Sequence, residues 1–104
     1  MRSWFLALVC AAVVIGVLAA CARRIPPVAT ASDAERARVP LVELEQGRKL
    51  VLGKCTRCHE TPLPRDHTPN EWPQMIGEMA ERSKLDLAER SAIEQYLVAM
   101  AATR

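Results

Sequence analysis

A run of 20 residues without a charged side chain, residues 3–22, limits what this chain can fold into more than any other feature. A single positive charge precedes the run, and small residues lie near its end, which is the pattern of a secretory signal. Cleavage before Cys21 would leave 84 of the 104 residues. That length permits one small domain and excludes large α/β enzymes, barrels and repeat arrays.

The end of this run resembles a bacterial lipoprotein signal. Leu18-Ala19-Ala20-Cys21 is similar to the lipobox, in which the cysteine is acylated and becomes the new amino terminus. The resemblance implies a signal peptide over residues 1–20, a lipid on Cys21 and permanent anchoring on the periplasmic side of a membrane. Ala22 lacks the aspartate that resembles an inner-membrane retention signal, which favours the outer membrane. An uncleaved anchor and simple secretion are the alternatives, and both also export the domain.

The mature chain would have few aromatic residues and almost no net charge. Trp72 and Tyr96 are its only aromatic side chains, and 13 basic residues face 12 acidic ones. So balanced a charge gives no reason to expect nucleic-acid binding. Two cysteines, Cys55 and Cys58, remain in addition to Cys21, and their context must decide whether they form a disulfide.

Residues 21–40 mix charged residues, small residues and three prolines without an apolar period. This composition predicts a flexible tether, about 25 Å long on average, that follows the lipidated amino terminus. A capping-box pattern indicates a short helix near residues 32–38, with almost no apolar face for packing.

Three helical patterns follow in the folded domain, residues 41–104. The first spans residues 40–52 with Gly53 as its C-cap, and the second begins near residues 68–71, with a proline in its first turn. Asp86 caps the third. Since nothing alternates like a strand, the sequence predicts an all-α domain of about 60 residues, which is marginally stable without a staple.

Cys55-Thr56-Arg57-Cys58-His59 is C-x-x-C-H, the attachment signature of c-type haem. Two thiols at this spacing can add to the two vinyl groups of one porphyrin, and the adjacent histidine can then become the proximal iron ligand. A thiol exchange motif calls for a βαβ context, and a zinc site that adds His67 has the wrong spacing. The motif therefore predicts one haem c, bound through Cys55 and Cys58, with His59 as the proximal axial ligand.

Two segments resemble class I c-type cytochromes. Residues 47–59 are similar to the amino-terminal half of that family, where a helix runs directly into the haem motif. Ile93-Glu94-Gln95-Tyr96-Leu97 resembles the I-x-x-Y-L of the family's last helix. The resemblance implies a cytochrome c-like domain of about three helices around one haem. It also implies that Gly47 meets Tyr96 where the first and last helices cross.

The middle helix carries candidates for the second axial ligand of the haem iron. Its apolar residues stand on one helical face, which is either a core stripe or a ligand-bearing wall: Trp72, Met75, Ile76 and Met79. Residues 68–79 resemble short cytochrome c domains in which T-P-x-E-W precedes an axial methionine, and that resemblance implies Met79. The alternatives are Met75, His67 and an open iron.

Together these patterns predict a membrane-tethered periplasmic electron carrier that has no enzymatic activity and no small-molecule substrate. Its partners would be redox proteins, and the basic residues around the motif are either a docking patch for an acidic partner or a solvated face. They are Lys49, Lys54, Arg57 and Arg65. The rival hypotheses are a ligand-binding or sensory haem lipoprotein with an open distal site, and a small haem subunit of a larger respiratory complex.

Overall fold

The structure, a computed structural model, describes the backbone of residues 1–22 and 24–103 and the side chains of residues 1–16 and 24–103. In these residues lie five α-helices: α1 (Arg2–Ala22), α2 (Ala31–Ala37), α3 (Leu41–Lys54), α4 (Trp72–Arg82) and α5 (Leu87–Ala101). Short 3-10 helices span Cys55–Arg57 and Pro64–Asp66. No strand occurs in the described ranges, so the all-α class is confirmed.

The uncharged run forms α1, whose large apolar side chains, such as Trp4 and Phe5, are exposed. Within the described ranges, no helix meets the length and hydropathy required to cross a membrane. The predicted lipidation falls on Cys21, whose side chain lies outside the described part of the chain.

The core of the domain lies where α3 crosses α5. Gly47 is required there, because a Cβ on this residue would overlap the Ala92 carbonyl oxygen and lie 2.5 Å from the Cβ of Tyr96. The fully buried side chains around the crossing are Leu44, Val51, Ile93, Tyr96 and Leu97. The expected meeting of Gly47 with Tyr96 is therefore confirmed.

The predicted end of the first helix is wrong. α3 does not stop at Gly53 but continues to Lys54, and the amide of Cys55 donates to the carbonyl of Val51. A Cβ on Gly53 would meet no atom within 4 Å, so neither packing nor a turn requires a glycine at this position. The helix therefore runs directly into the C-x-x-C-H motif.

The start of α5 is confirmed. Asp86 Oδ1 accepts from the amide of Glu89 at 2.8 Å, and Glu89 Oε2 accepts from the amide of Asp86 at 3.1 Å, so the two residues form a capping box. α4 begins at Trp72 with a proline in its first turn. A hydrogen-bonded turn over residues 68–71 precedes it, in which the Glu71 carboxylate accepts from the amide of Thr68 at 2.8 Å.

Most of the predicted tether is packed against the helices. Residues 24–30, here called the strap, bury Pro26 completely and leave Ala29 only 5% exposed. Arg48 Nε donates to the Pro26 carbonyl at 3.0 Å, and the Tyr96 hydroxyl donates to the Pro27 carbonyl at 2.6 Å. This corrects the prediction that residues 21–40 form a flexible tether. The segment packs through a buried proline side chain and through backbone carbonyls that accept hydrogen bonds, and neither produces an apolar period in the sequence.

The short helix α2 is also part of the packed unit. Thr30 caps it, with Asp33 completing the capping box. Ala34, Ala37 and Val39 pack against the core, so the expectation that this helix has no apolar face for packing is wrong. α2 contacts both α3 and α5, so small alanine side chains are enough to pack it against them.

Candidate functional site

An apolar cavity lies between α4, α5 and the loop that joins α3 to α4. Its interior volume is about 90 Å³, which is below the range of about 300–1,000 Å³ of small-molecule and cofactor sites. The residues that line it include Cys55, His67, Trp72, Met75, Ile76, Met79, Leu85 and Ile93. The cavity therefore combines the first cysteine of the motif with the three candidate distal ligands.

One face of α4 is buried and forms a wall of the cavity. Trp72 and Ile76 are 3% and 4% exposed, and they turn the same side of the helix towards the cavity as the half-buried Met75 and Met79. The Trp72 indole Nε1 donates to the Pro64 carbonyl at 2.9 Å, which ties α4 to the loop opposite. Met75 and Met79 stand one turn apart, so the side chains of both reach the same cavity.

His67 lies against the edge of this wall. Its ring meets the Trp72 ring edge to face, with centroids 4.8 Å apart, and its Nδ1 is 4.0 Å from Glu71 Oε2. The pKa of Glu71 is lowered, first by the amide and hydroxyl of Thr68 and to a smaller extent by the charge of His67. The Glu71 carboxylate therefore stays ionised beside His67 at neutral pH.

Cys55 follows the last turn of α3 and is half-buried in the cavity wall. Burial raises the pKa of the Cys55 thiol above its ordinary value of 9.0, because the thiolate would lose its hydration. The sulfur is therefore a neutral thiol at neutral pH. This disfavours the thiol exchange interpretation, which uses a thiolate that is already formed before reaction.

Cys58 and His59 are exposed and do not line the cavity. His59 Nδ1 lies 2.7 Å from the carbonyl oxygen of Glu60, and since a carbonyl can only accept, Nδ1 carries the proton. In the neutral ring this leaves the lone pair of Nε2 available to a metal. The structure thus brings Cys55, Met75, Met79 and His67 together and leaves Cys58 and His59 on the adjoining surface.

Three ion pairs lie close to the two ends of the motif. Lys54 Nζ lies 2.7 Å from Glu89 Oε1, and this contact is the main reason why the pKa of Glu89 is lowered. Arg24 bridges Glu60, at 2.8 Å, and Asp66, at 3.5 Å, so the strap contacts both the segment after His59 and the loop at the cavity wall.

Sequence reasoning missed Arg24 as a contact of the motif, because the ion pair with Glu60 spans 36 positions and no local pattern marks it. It also assigned Lys54 only to a docking patch or a solvated face, although its partner is a capping residue of α5. The i, i+3 spacing of Asp86 and Glu89 predicted that Glu89 caps α5. It did not predict the ion pair between Glu89 and Lys54.

Among the residues with described side chains, no cluster of three or more His, Cys, Asp or Glu that could hold a metal ion occurs. Comparisons with protein-family models, with curated proteins and with solved structures find no match.

Proposed function

We propose that this chain is a membrane-tethered monohaem c-type cytochrome that carries one electron between redox partner proteins. The observation that carries the proposal is the position of Cys55. The first cysteine of C-x-x-C-H lies in the wall of an apolar cavity that Met75 and Met79 also line. A helix that runs directly into the motif, as α3 does, adds support from the resemblance to class I cytochromes.

The donor atoms present suit a haem, but the cavity would have to widen to take one, because its interior volume is about 90 Å³. The cavity offers apolar walls and soft thioether sulfurs, and His59, immediately after the second cysteine, would offer Nε2 while Nδ1 faces the Glu60 carbonyl. Cys55 and Cys58 would hold the group covalently, and His59 and Met79 would be its axial ligands. When bound, the haem iron supplies a reversible change between ferric and ferrous states.

The protein's own groups would tune that exchange. The hydrogen bond from His59 Nδ1 to the Glu60 carbonyl orients the ring and increases the basicity of Nε2. The buried side chains of Trp72 and Ile76 make one side of the cavity apolar, and an apolar environment disfavours added positive charge. Two fixed axial ligands would leave no open position for a substrate, which is why we propose a carrier and not an enzyme.

The assignment of Met79 needs a matched test, because Met75 and His67 line the same cavity. We expect the oxidised wild-type protein to show the weak long-wavelength band of methionine bound to ferric iron. Met79→Ala should lose this band, while Met75→Ala, one helical turn away, should keep it. Survival of the band in Met79→Ala together with its loss in Met75→Ala would assign the ligand to Met75, and absence of the band from the wild type would exclude both.

A ligand-binding haem protein is the second candidate, because the cavity has an open mouth. Carbon monoxide separates the two functions. The reduced carrier, with both axial positions filled, should bind carbon monoxide slowly at neutral pH. Rapid binding by the wild-type protein would favour the ligand-binding function and contradict the carrier.

The lipid anchor at Cys21 is part of the same proposal. Mass spectrometry of the mature amino terminus should show an acylated cysteine, and Cys21→Ser should abolish both the acylation and the attachment to membranes. A soluble wild-type protein without acyl groups would contradict the anchor.

A further inference from the structure

The packed domain begins very close to Cys21. Pro26 is already fully buried, so at most residues 22–25 can act as a free link. Fully extended, four residues span about 14 Å, much less than a 19-residue tether would allow. The domain therefore cannot swing far from whatever holds Cys21.

Hydrogen bonds and ion pairs hold the strap against the domain. The carbonyls of Pro26 and Pro27 accept from Arg48 and Tyr96, one residue on each of the two crossing helices. Arg24 adds ion pairs to Glu60 and Asp66. The strap thus has a defined orientation on the domain, and its outward side chains form a defined surface.

That outward surface is apolar. Ile25 and Val28 are 62% and 65% exposed, and they stand three and six residues after the uncharged run of 20. Arg24, the charged residue of the strap, is engaged by two carboxylates. Contact with a lipid interface would therefore bury two branched apolar side chains. It would not place an unpaired cation in the interface, because Arg24 keeps its two carboxylate partners.

We propose that the strap is a membrane-contact surface, with Ile25 and Val28 seated in the interfacial layer of the bilayer that holds Cys21. This inference rests on the proposed lipid anchor. The short link argues for the bilayer as occupant, because no other surface is required to lie within about 14 Å of the strap.

The geometry of α5 supplies a control position. Ile25 and Pro27 line a groove with Met100 and Thr103, so the strap lies at the carboxyl end of α5. Leu87 begins the helix, is 85% exposed and stands 13 residues before Met100, about 20 Å away along the axis. A probe at Leu87 should therefore remain in water when the strap touches lipid.

The test uses the lipidated holoprotein in phosphatidylcholine vesicles, with a nitroxide on Val28→Cys, on Ile25→Cys or on Leu87→Cys and with the haem kept oxidised, so that its effect on the label is the same with and without each reagent. Collisions with oxygen, which concentrates in lipid, are compared with collisions with a water-soluble nickel chelate. We expect labels at 25 and 28 to favour oxygen and the label at 87 to favour nickel. The same protein with Cys21→Ser, free in solution, should lose the oxygen preference at 25 and 28.

The outcomes separate the anchor from the surface. If the wild-type domain floats with the vesicles while labels at 25 and 28 collide with nickel as readily as the label at 87, the membrane-contact surface is wrong and the anchor stands. If labels at 25 and 28 are shielded from both reagents, the surface is covered by protein, which also overturns the proposal. A wild-type protein that does not float would overturn the anchor together with the surface.

Discussion

Replacement of Gly47 by alanine tests the packing of the domain at its tightest point. The added methyl group would overlap the Ala92 carbonyl oxygen and lie 2.5 Å from the Cβ of Tyr96. Ordinary contacts between carbon atoms are about 3.5–4.0 Å, so α3 and α5 would have to separate by about 1 Å. The obstacle is helix backbone, which cannot rotate away as a flexible side chain could.

The magnitude follows from two opposing effects. Overpacking of a buried interface costs about 1–3 kcal/mol, and a backbone obstacle puts this site at the upper end. Alanine regains about 1 kcal/mol of helix propensity over glycine, which leaves a net loss of about 2 kcal/mol. For a domain of this size, that loss lowers the melting temperature by roughly 8–16 °C.

The assay is thermal unfolding of the holoprotein, followed by circular dichroism. Gly53→Ala is the matched control, because Gly53 lies on the same helix with no atom within 4 Å of its added Cβ. This control should leave the free energy of unfolding unchanged or raise it by up to about 1 kcal/mol. If Gly47→Ala melts at or above the wild-type temperature, the close crossing of α3 and α5 is wrong.

Two further substitutions test single contacts. Tyr96→Phe removes the hydrogen bond to the Pro27 carbonyl, and urea unfolding should show a loss of about 1 kcal/mol; no loss would mean that the strap is not fastened there. The pKa of Glu89 is lowered, chiefly by Lys54, from its ordinary value of 4.5. The ion pair therefore stabilises the fold at pH values above 4.5, and this stabilisation is lost as the pH falls through the lowered pKa. Glu89→Gln should therefore lower stability at neutral pH and weaken the dependence of stability on acid below 4.5, and a dependence equal to that of the wild type would contradict the contact.

Local patterns predicted the helices better than the parts between them. The start of α5 was foreseeable because Asp86 and Glu89 cap it through contacts three residues apart. The role of Gly47 was foreseeable only through the family resemblance, since its partner Tyr96 lies on another helix. The strap could not be predicted, because its hydrogen bonds join residues 22 and 69 positions apart and use backbone carbonyls that leave no mark in the sequence.

In the candidate site, too, the sequence spacing predicted contacts within one helix but not the positions of residues outside it. The spacing of Met75 and Met79 placed both on one face of α4, and the structure puts that face in the cavity wall with Cys55. The spacing did not show that Cys58 and His59 lie on the surface beside the cavity, because the segment after Cys55 leaves the helix in a short 3-10 turn. The choice between Met79, Met75 and His67 stays a prediction, since all three reach the same space.

The covalent attachment of one haem is the central claim, and the mass of the purified mature protein tests it most directly. The wild-type chain should carry the mass of one haem after denaturation in acid, and it should show the absorption of a haem with two thioether links in alkaline pyridine. Cys55→Ala combined with Cys58→Ala should lose both signals. A wild-type chain, purified from a host with the c-type haem attachment machinery, whose mass is that of the polypeptide and its lipid alone would contradict the account.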